Sequence, residues 1–165
     1  MTKLIEAGRK YLGQREVPGT GVSAWIQKMW ADLPGGKWFW THYGKDDSKL
    51  PWCGAFMARV CKDVGLDHPK QYASAASWGA WGEKVSGPHM GAVAVLTRAG
   101  GGHVGIVTGV TAKGDMVRLL GGNQGDAVSE VWFPVGRITH YRKPAGATLP
   151  LAEVATVTAM SRSEA

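Results

Sequence analysis

The spacing of apolar residues changes once along this chain, near residue 90, and that change limits the folds open to it. Before it, apolar side chains recur at three- and four-residue intervals. Val22, Trp25, Ile26, Met29, Trp30 and Leu33 do so ahead of Pro34 and Gly35, and Cys53, Phe56, Met57, Val60, Cys61 and Val64 do so between Pro51 and Gly65. A shorter helix is expected over residues 3–12, closed by Gly13, and another over 73–82. Beyond residue 90 come short runs between glycine-rich turns: "GAVAVL" from Gly91, "HVGIVTGV" from His103, "DMVRLL" from Asp115, "AVSEVWF" from Ala127 and "ITHYR" from Ile138. These read as strands. Their turns are too short for crossover helices, so the expected class is α+β, with N-terminal helices packed on an antiparallel sheet. The aperiodic "GGKWFWTHYGKDDSKL" is expected to be a long loop, whose Trp38, Phe39, Trp40, His42 and Tyr43 either line a groove or cover the end of the core.

A chain of 165 residues with 44% hydrophobic content can bury one substantial core. One domain is expected over 1–144, followed by a tail over 145–165 that is rich in small residues and supplies no chemistry. Lys plus Arg exceeds Asp plus Glu by 19 − 13 = 6, which favours an anionic partner. The basic residues are scattered without an aromatic and basic repeat, so nothing singles out nucleic acid, and an anionic polymer such as bacterial cell wall is an equally physical candidate. No apolar run approaches about 18 residues and the first residues are charged and amphipathic, so neither membrane insertion nor a signal peptide is expected. Synthesis in a cytoplasm follows as an expectation. His42, His68, His89 and His140 lack paired metal-ligand spacing, and no phosphate loop, dinucleotide fingerprint or serine elbow occurs, so neither metal nor cofactor is expected.

Two cysteines remain to be explained. On one helix, Cys53 and Cys61 lie about 12 Å apart at about 1.5 Å per residue, too far for a mutual disulfide. Pro51 at the helix start places Cys53 in the first turn, where backbone amides and the helix dipole stabilise a thiolate. Cys61 lies deeper and reads as structural. In an extended strand His103, Gly105, Val107 and Gly109 share one face, with room beside His103, while Val104, Ile106, Thr108 and Val110 share the face better suited to burial.

Cys53 with His103 makes a thiolate and imidazolium pair able to attack a carbonyl and then protonate the departing amine. The ring needs an orienting acceptor. Asn123 in "LLGGNQGD" is preferred, Asp126 is the rival and Glu130 a weaker one, while "GGN" also reads as an ordinary turn. An amide of the Cys53 turn is placed to hold an oxyanion. Trp52 either positions that turn or the substrate or packs, and Gln14 and Gln124 are further polar contacts.

Taken in order, "YLGQREVPG", "PWCGAF", "GGHVGIVTG" and "LLGGNQGDAVS" resemble the NlpC/P60 and CHAP group of papain-like cysteine peptidases and amidases, over roughly Leu4 to Pro144. The resemblance is strongest to small phage or prophage cell-wall hydrolases of that group. It implies a papain-like α+β fold, Cys53 as nucleophile, His103 as base and Asn123 as third member; Trp52, Trp40, Gln124 and Asp126 are expected toward the substrate. It implies cleavage of an amide or peptide bond of peptidoglycan, by an N-acetylmuramoyl-L-alanine amidase or an endopeptidase. A monomeric phage endolysin of this kind, without a cofactor, reaches the wall through a lesion made by a separate holin-type factor. The alternatives are another papain-like acyl-transfer enzyme and a noncatalytic basic wall-binding or nucleic-acid-binding module.

Overall fold

The computed structural model describes residues 2–19, 21–43, 50–98 and 101–155. Four helices come first: α1 (Lys3–Arg9), α2 (Ala24–Ala31), α3 (Gly36–Tyr43) and α4 (Cys53–Asp63). A 3-10 helix (Ala75–Ala80) leads into β1 (Glu83–Lys84), β2 (Val93–Arg98), β3 (Gly101–Val110), β4 (Met116–Gly121), β5 (Ser129–Pro134) and β6 (Ile138–Lys143). The strands form one sheet in the order β1-β6-β2-β3-β4-β5, every neighbouring pair antiparallel. The architecture is thus the expected α+β arrangement, and the five strand segments marked by apolar runs lie where the period change puts them.

Two elements escape the pattern. The two-residue β1 is too short to show any period. Residues 36–43 form α3 where a loop was expected: Gly35 takes a left-handed φ of 69° and its carbonyl accepts from the amides of Trp38 and Phe39, restarting a helix one turn after α2. Three contiguous aromatic residues at 38–40 conceal the helical spacing. Residues 44–49 of the same expected loop, Asp46 and Asp47 included, lie outside the described residues.

α4 sits at the centre of the larger core. Its Phe56, Met57, Val60 and Cys61 are fully buried and pack with Val95, Val104, Ile106 and Leu120 of the sheet. Side chains alternate across a strand, so Ala94, Leu96, Val107, Val117, Leu119 and Phe133 form a second cluster on the other face, covered by Ile138, Tyr141, Leu149 and Ala152. Both faces of β3 are therefore buried from His103 to Gly109, and the face carrying His103 is not the open one expected from its glycines. Gly105 serves a different purpose: a side chain there would stand 3.1 Å from the Leu120 carbonyl, so its absence lets β4 approach.

Gly65 ends α4 with φ 74°, the Leu66 amide donating to Cys61 O and the Gly65 amide to Lys62 O, a Schellman stop. Beyond β6, residues 150–155 are tied to 88–90 and Val110 by backbone hydrogen bonds such as Met90 N to Pro150 O and Val110 N to Glu153 O. The remainder of the expected tail, 156–165, is outside the described residues. No helix among the described residues is long and apolar enough to cross a membrane.

The seat of α4 is tightest at Gly54, where an added Cβ would lie 2.1 Å from the Tyr72 carbonyl oxygen. Alanine is favoured over glycine in a helix by roughly 0.5–1 kcal/mol, but forcing atoms into a packed core costs roughly 1–3 kcal/mol. Packing outweighs propensity. Gly54→Ala is expected to lower the melting temperature by several degrees in a thermal unfolding experiment, at about 2–4 °C per kcal/mol for a chain of this size; an unchanged or raised value would show that α4 is free to shift.

Candidate active site

Cys53 is the first residue of α4 and 2% exposed. Its neighbour Trp52 occupies the N-cap position without a side-chain cap, and its carbonyl accepts the first helical hydrogen bond from Phe56 N at 2.9 Å. The first turn is therefore not closed by a serine or aspartate of the ordinary kind, and its amide end lies beside the thiol. Trp52 itself is fully buried, its indole Nε1 donating to Glu16 Oε1 at 2.8 Å and its ring meeting Trp25 edge-on at 6.2 Å. Its burial and its bond to Glu16 suit the packing and turn-positioning readings of this residue.

His103 is fully buried near the start of β3, its ring 5.6 Å from that of Phe133. Its Nε2 lies 2.8 Å from Gln124 Oε1. The Gln124 amide nitrogen donates to the carbonyls of Leu119 (3.1 Å) and Ser129 (2.7 Å), which fixes the oxygen toward the ring. An amide oxygen only accepts, so His103 Nε2 carries a proton, and the basic nitrogen of the neutral ring is Nδ1.

The acceptor on His103 is therefore Gln124, where the sequence favoured Asn123. The cause is backbone geometry. Asn123 and Asp126 both adopt left-handed φ, 60° and 58°, which asparagine and aspartate tolerate better than other side chains, so these two residues shape the turn after β4. Between them the Gln124 amide donates to Ala127 O, and its longer side chain folds back beneath the end of β4. Asp126 is exposed and Glu130 pairs with Arg9 at 2.9 Å. Gln124 is 2% exposed, so it faces the ring where a substrate contact was expected. Trp40, 8% exposed, lines a separate cavity of about 260 Å³ with Gln27, Ala31, Lys37 and Thr41.

Gly121 and Gly122 bring the two halves together. A side chain on Gly121 would stand 2.7 Å from Gln124 Oε1 and 3.4 Å from His103 Nε2; one on Gly122 would stand 2.6 Å from Phe56 Cβ and 2.8 Å from the Trp52 ring. Adjacent Cα atoms are only about 3.8 Å apart. The imidazole and its amide partner thus approach one glycine while the residues flanking Cys53 on α4 approach the next. The arrangement can carry a proton on Nε2, hold it with a neutral acceptor and leave Nδ1 as the basic ring nitrogen. Glu16 also belongs to this neighbourhood, and nothing in its loop sequence marks it out.

The second thiol differs. Burial, aided by the Asp67 charge, pushes Cys61 up to about 12, so at neutral pH it is protonated and inert. Native protein treated with iodoacetamide near pH 7 is expected to gain a single label, at Cys53, with Cys61 labelled only after unfolding. Peptide mass analysis reads the outcome, and label on Cys61 in folded protein would contradict it.

Searches of curated proteins and of solved structures return no match. Residues 45–123 match the family model described as the CHAP domain, a span that includes Cys53 and His103 and stops one residue short of Gln124. Over that stretch the chain is similar to a CHAP domain, of the NlpC/P60-CHAP papain-like cysteine peptidase family and so of the cysteine-hydrolase class.

Proposed function

We propose that this protein cuts an amide or peptide bond of bacterial peptidoglycan with Cys53 as nucleophile, His103 as general base and acid, and Gln124 as the group that orients His103. The CHAP domain supports hydrolysis of peptidoglycan in general. The observation that carries the residue roles is the 2.8 Å contact between His103 Nε2 and Gln124 Oε1, with the amide itself pinned by two carbonyls.

In the proposed reaction His103 Nδ1 takes the proton of Cys53 Sγ, and the thiolate attacks the scissile carbonyl carbon. The carbonyl π electrons move to oxygen, and amides of the first turn of α4 stabilise the oxyanion. The intermediate collapses, the C–N bond breaks, and the imidazolium gives its proton to the leaving amine. A thioester remains. Water then attacks it with His103 again as base, releasing the carboxylate and restoring the thiol. Because Gln124 is uncharged, it fixes ring and tautomer without electrostatically stabilising the imidazolium as a carboxylate would. The positive balance of 6 charges suits an anionic wall polymer. In an endolysin setting the protein is made in the host cytoplasm and reaches the wall once a holin-type factor opens the membrane.

One observation favours a noncatalytic module: Cys53 and His103 are 2% and 0% exposed. A purely structural histidine, however, is an expensive occupant of a core, and the network around Gln124 controls which ring nitrogen is basic, a distinction packing does not need.

Defined peptidoglycan fragments incubated with the protein, followed by mass analysis of the new ends, test the reading. Stem peptides released with free L-alanine amino termini identify an amidase, and internally cut peptides an endopeptidase. Cys53→Ala is expected to abolish turnover and His103→Ala to reduce it by about 10²- to 10⁴-fold. Gln124→Ala, leaving a buried N–H unpaired, is expected to cost roughly 10- to 100-fold, and Asn123→Ala less than about threefold. Unchanged turnover in the Cys53 and His103 variants would sink the mechanism; loss in Asn123→Ala with Gln124→Ala intact would sink the role of Gln124.

A further inference from the structure

We propose that Glu16 is a positioning residue for this centre, holding the helix start that carries Cys53 and the turn that carries Gln124 in one register through Trp52. The inference rests on the cysteine-hydrolase reading and names a residue outside the matched CHAP span of 45–123.

Glu16 is only 9% exposed, although it lies in the connection between α1 and α2 rather than in a core element. A carboxylate loses much of its hydration at such a position and persists when hydrogen bonds replace it. One oxygen accepts from the indole nitrogen of Trp52, the residue immediately before Cys53, at 2.8 Å. The Glu16 backbone amide donates to the Asp126 carbonyl, also at 2.8 Å. One residue therefore grips both halves of the site, by side chain on one side and by main chain on the other.

The grip on the turn is extended by its neighbours. Gly13 N donates to Val128 O, Val128 N donates to Gln14 O, and Arg15 bridges Ala127 in antiparallel fashion. The Gln124 amide closes on Ala127 O at 3.0 Å. A continuous path of hydrogen bonds and adjacent residues thus runs from Gln124 through Ala127 and Arg15 to Glu16, Trp52 and Cys53. On its far edge the Trp52 ring abuts the Cα of Gly122. Its orientation is set between the Glu16 acceptor and the glycine pair. Without the acceptor the buried indole N–H must find another partner, and a ring that turns to find one displaces the first turn of α4 or the glycine pair. Small displacements of a reacting group suffice to slow a reaction in a preorganised site.

A merely structural Glu16 would affect stability alone, so the test reads the site directly. Full-length Glu16→Ala, Glu16→Gln, Trp52→Phe and the double variant Glu16→Ala/Trp52→Phe are compared for kcat and KM on soluble peptidoglycan fragments. The alkylation rate of Cys53 by iodoacetamide across pH and the melting temperature are followed alongside. Glu16→Ala is expected to lower kcat about tenfold with KM within about twofold, and to slow alkylation at neutral pH. Glu16→Gln, which keeps an acceptor oxygen, is expected to recover most of that loss. The double variant should be no slower than the worse single variant, because both remove one interaction.

Unchanged kcat and alkylation in folded Glu16→Ala, a change in KM alone, or losses that multiply in the double variant would each overturn the proposal. If Glu16→Ala does not fold, Trp52→Phe decides: folded protein with wild-type kcat and alkylation overturns it. Alkylation needs no wall substrate, so a protein that shows the coupling but leaves peptidoglycan uncut supports the role of Glu16 and removes the substrate assignment.

Discussion

Two consecutive residues without side chains, Gly121 and Gly122, set the distance at which the helical and sheet halves of this protein meet. Atoms of Trp52 and Phe56 stand within 3 Å of where one Cβ would be, and Gln124 occupies the corresponding space at the other. A side chain on Gly122 would wedge α4 away from the end of β4, and one on Gly121 would displace Gln124 from beside His103. The same close approach gives the core its continuity, since Phe56 and Leu120 belong to one buried cluster with Val104 and Ile106. Packing and the proposed chemistry therefore share one constraint: Gly122, against which α4 is seated, is adjacent to Gly121, which Gln124 and His103 approach.

Around that contact the polar groups are few and matched. Gln124 spends its two N–H groups on Leu119 and Ser129 carbonyls and its oxygen on His103; Trp52 spends its single donor on Glu16. Each net hydrogen bond is worth only about 1 kcal/mol, but each broken one strands a buried group at a cost of roughly 1–3 kcal/mol. The site is consequently sensitive to deletions more than to the strength of any single bond. Cys61 shows the contrasting case, a thiol on the same helix whose surroundings suppress ionisation.

The fold was largely legible because its signals are periodic. Helical spacing around Met29 and Phe56 and the apolar runs after Gly91 each survive as α2, α4 and the sheet. α3 was hidden because Trp38, Phe39 and Trp40 are contiguous, and β1 because two residues have no period. Within the site, the positions of Cys53 at a helix start and His103 near a strand start follow from local pattern. The identity of the acceptor did not. Chemistry alone ranks Asn123, Asp126 and Glu130 by their oxygens, whereas the outcome depends on left-handed backbone at residues 123 and 126, which turns Gln124 inward. The affinity of asparagine for that conformation was the available clue. Glu16 left no local trace, because its partner Trp52 is 36 residues away in sequence.

The central claim is that Gln124 holds a proton on His103 Nε2 and so makes Nδ1 the base. Nitrogen-15 NMR of the histidine side chains, with His103 assigned by its disappearance in His103→Ala, measures this directly at a pH where the ring is neutral. The account predicts a protonated Nε2 and an unprotonated Nδ1 in the native protein, giving way to a tautomer mixture in Gln124→Ala. A ring protonated on Nδ1, or a tautomer indifferent to Gln124, would contradict it.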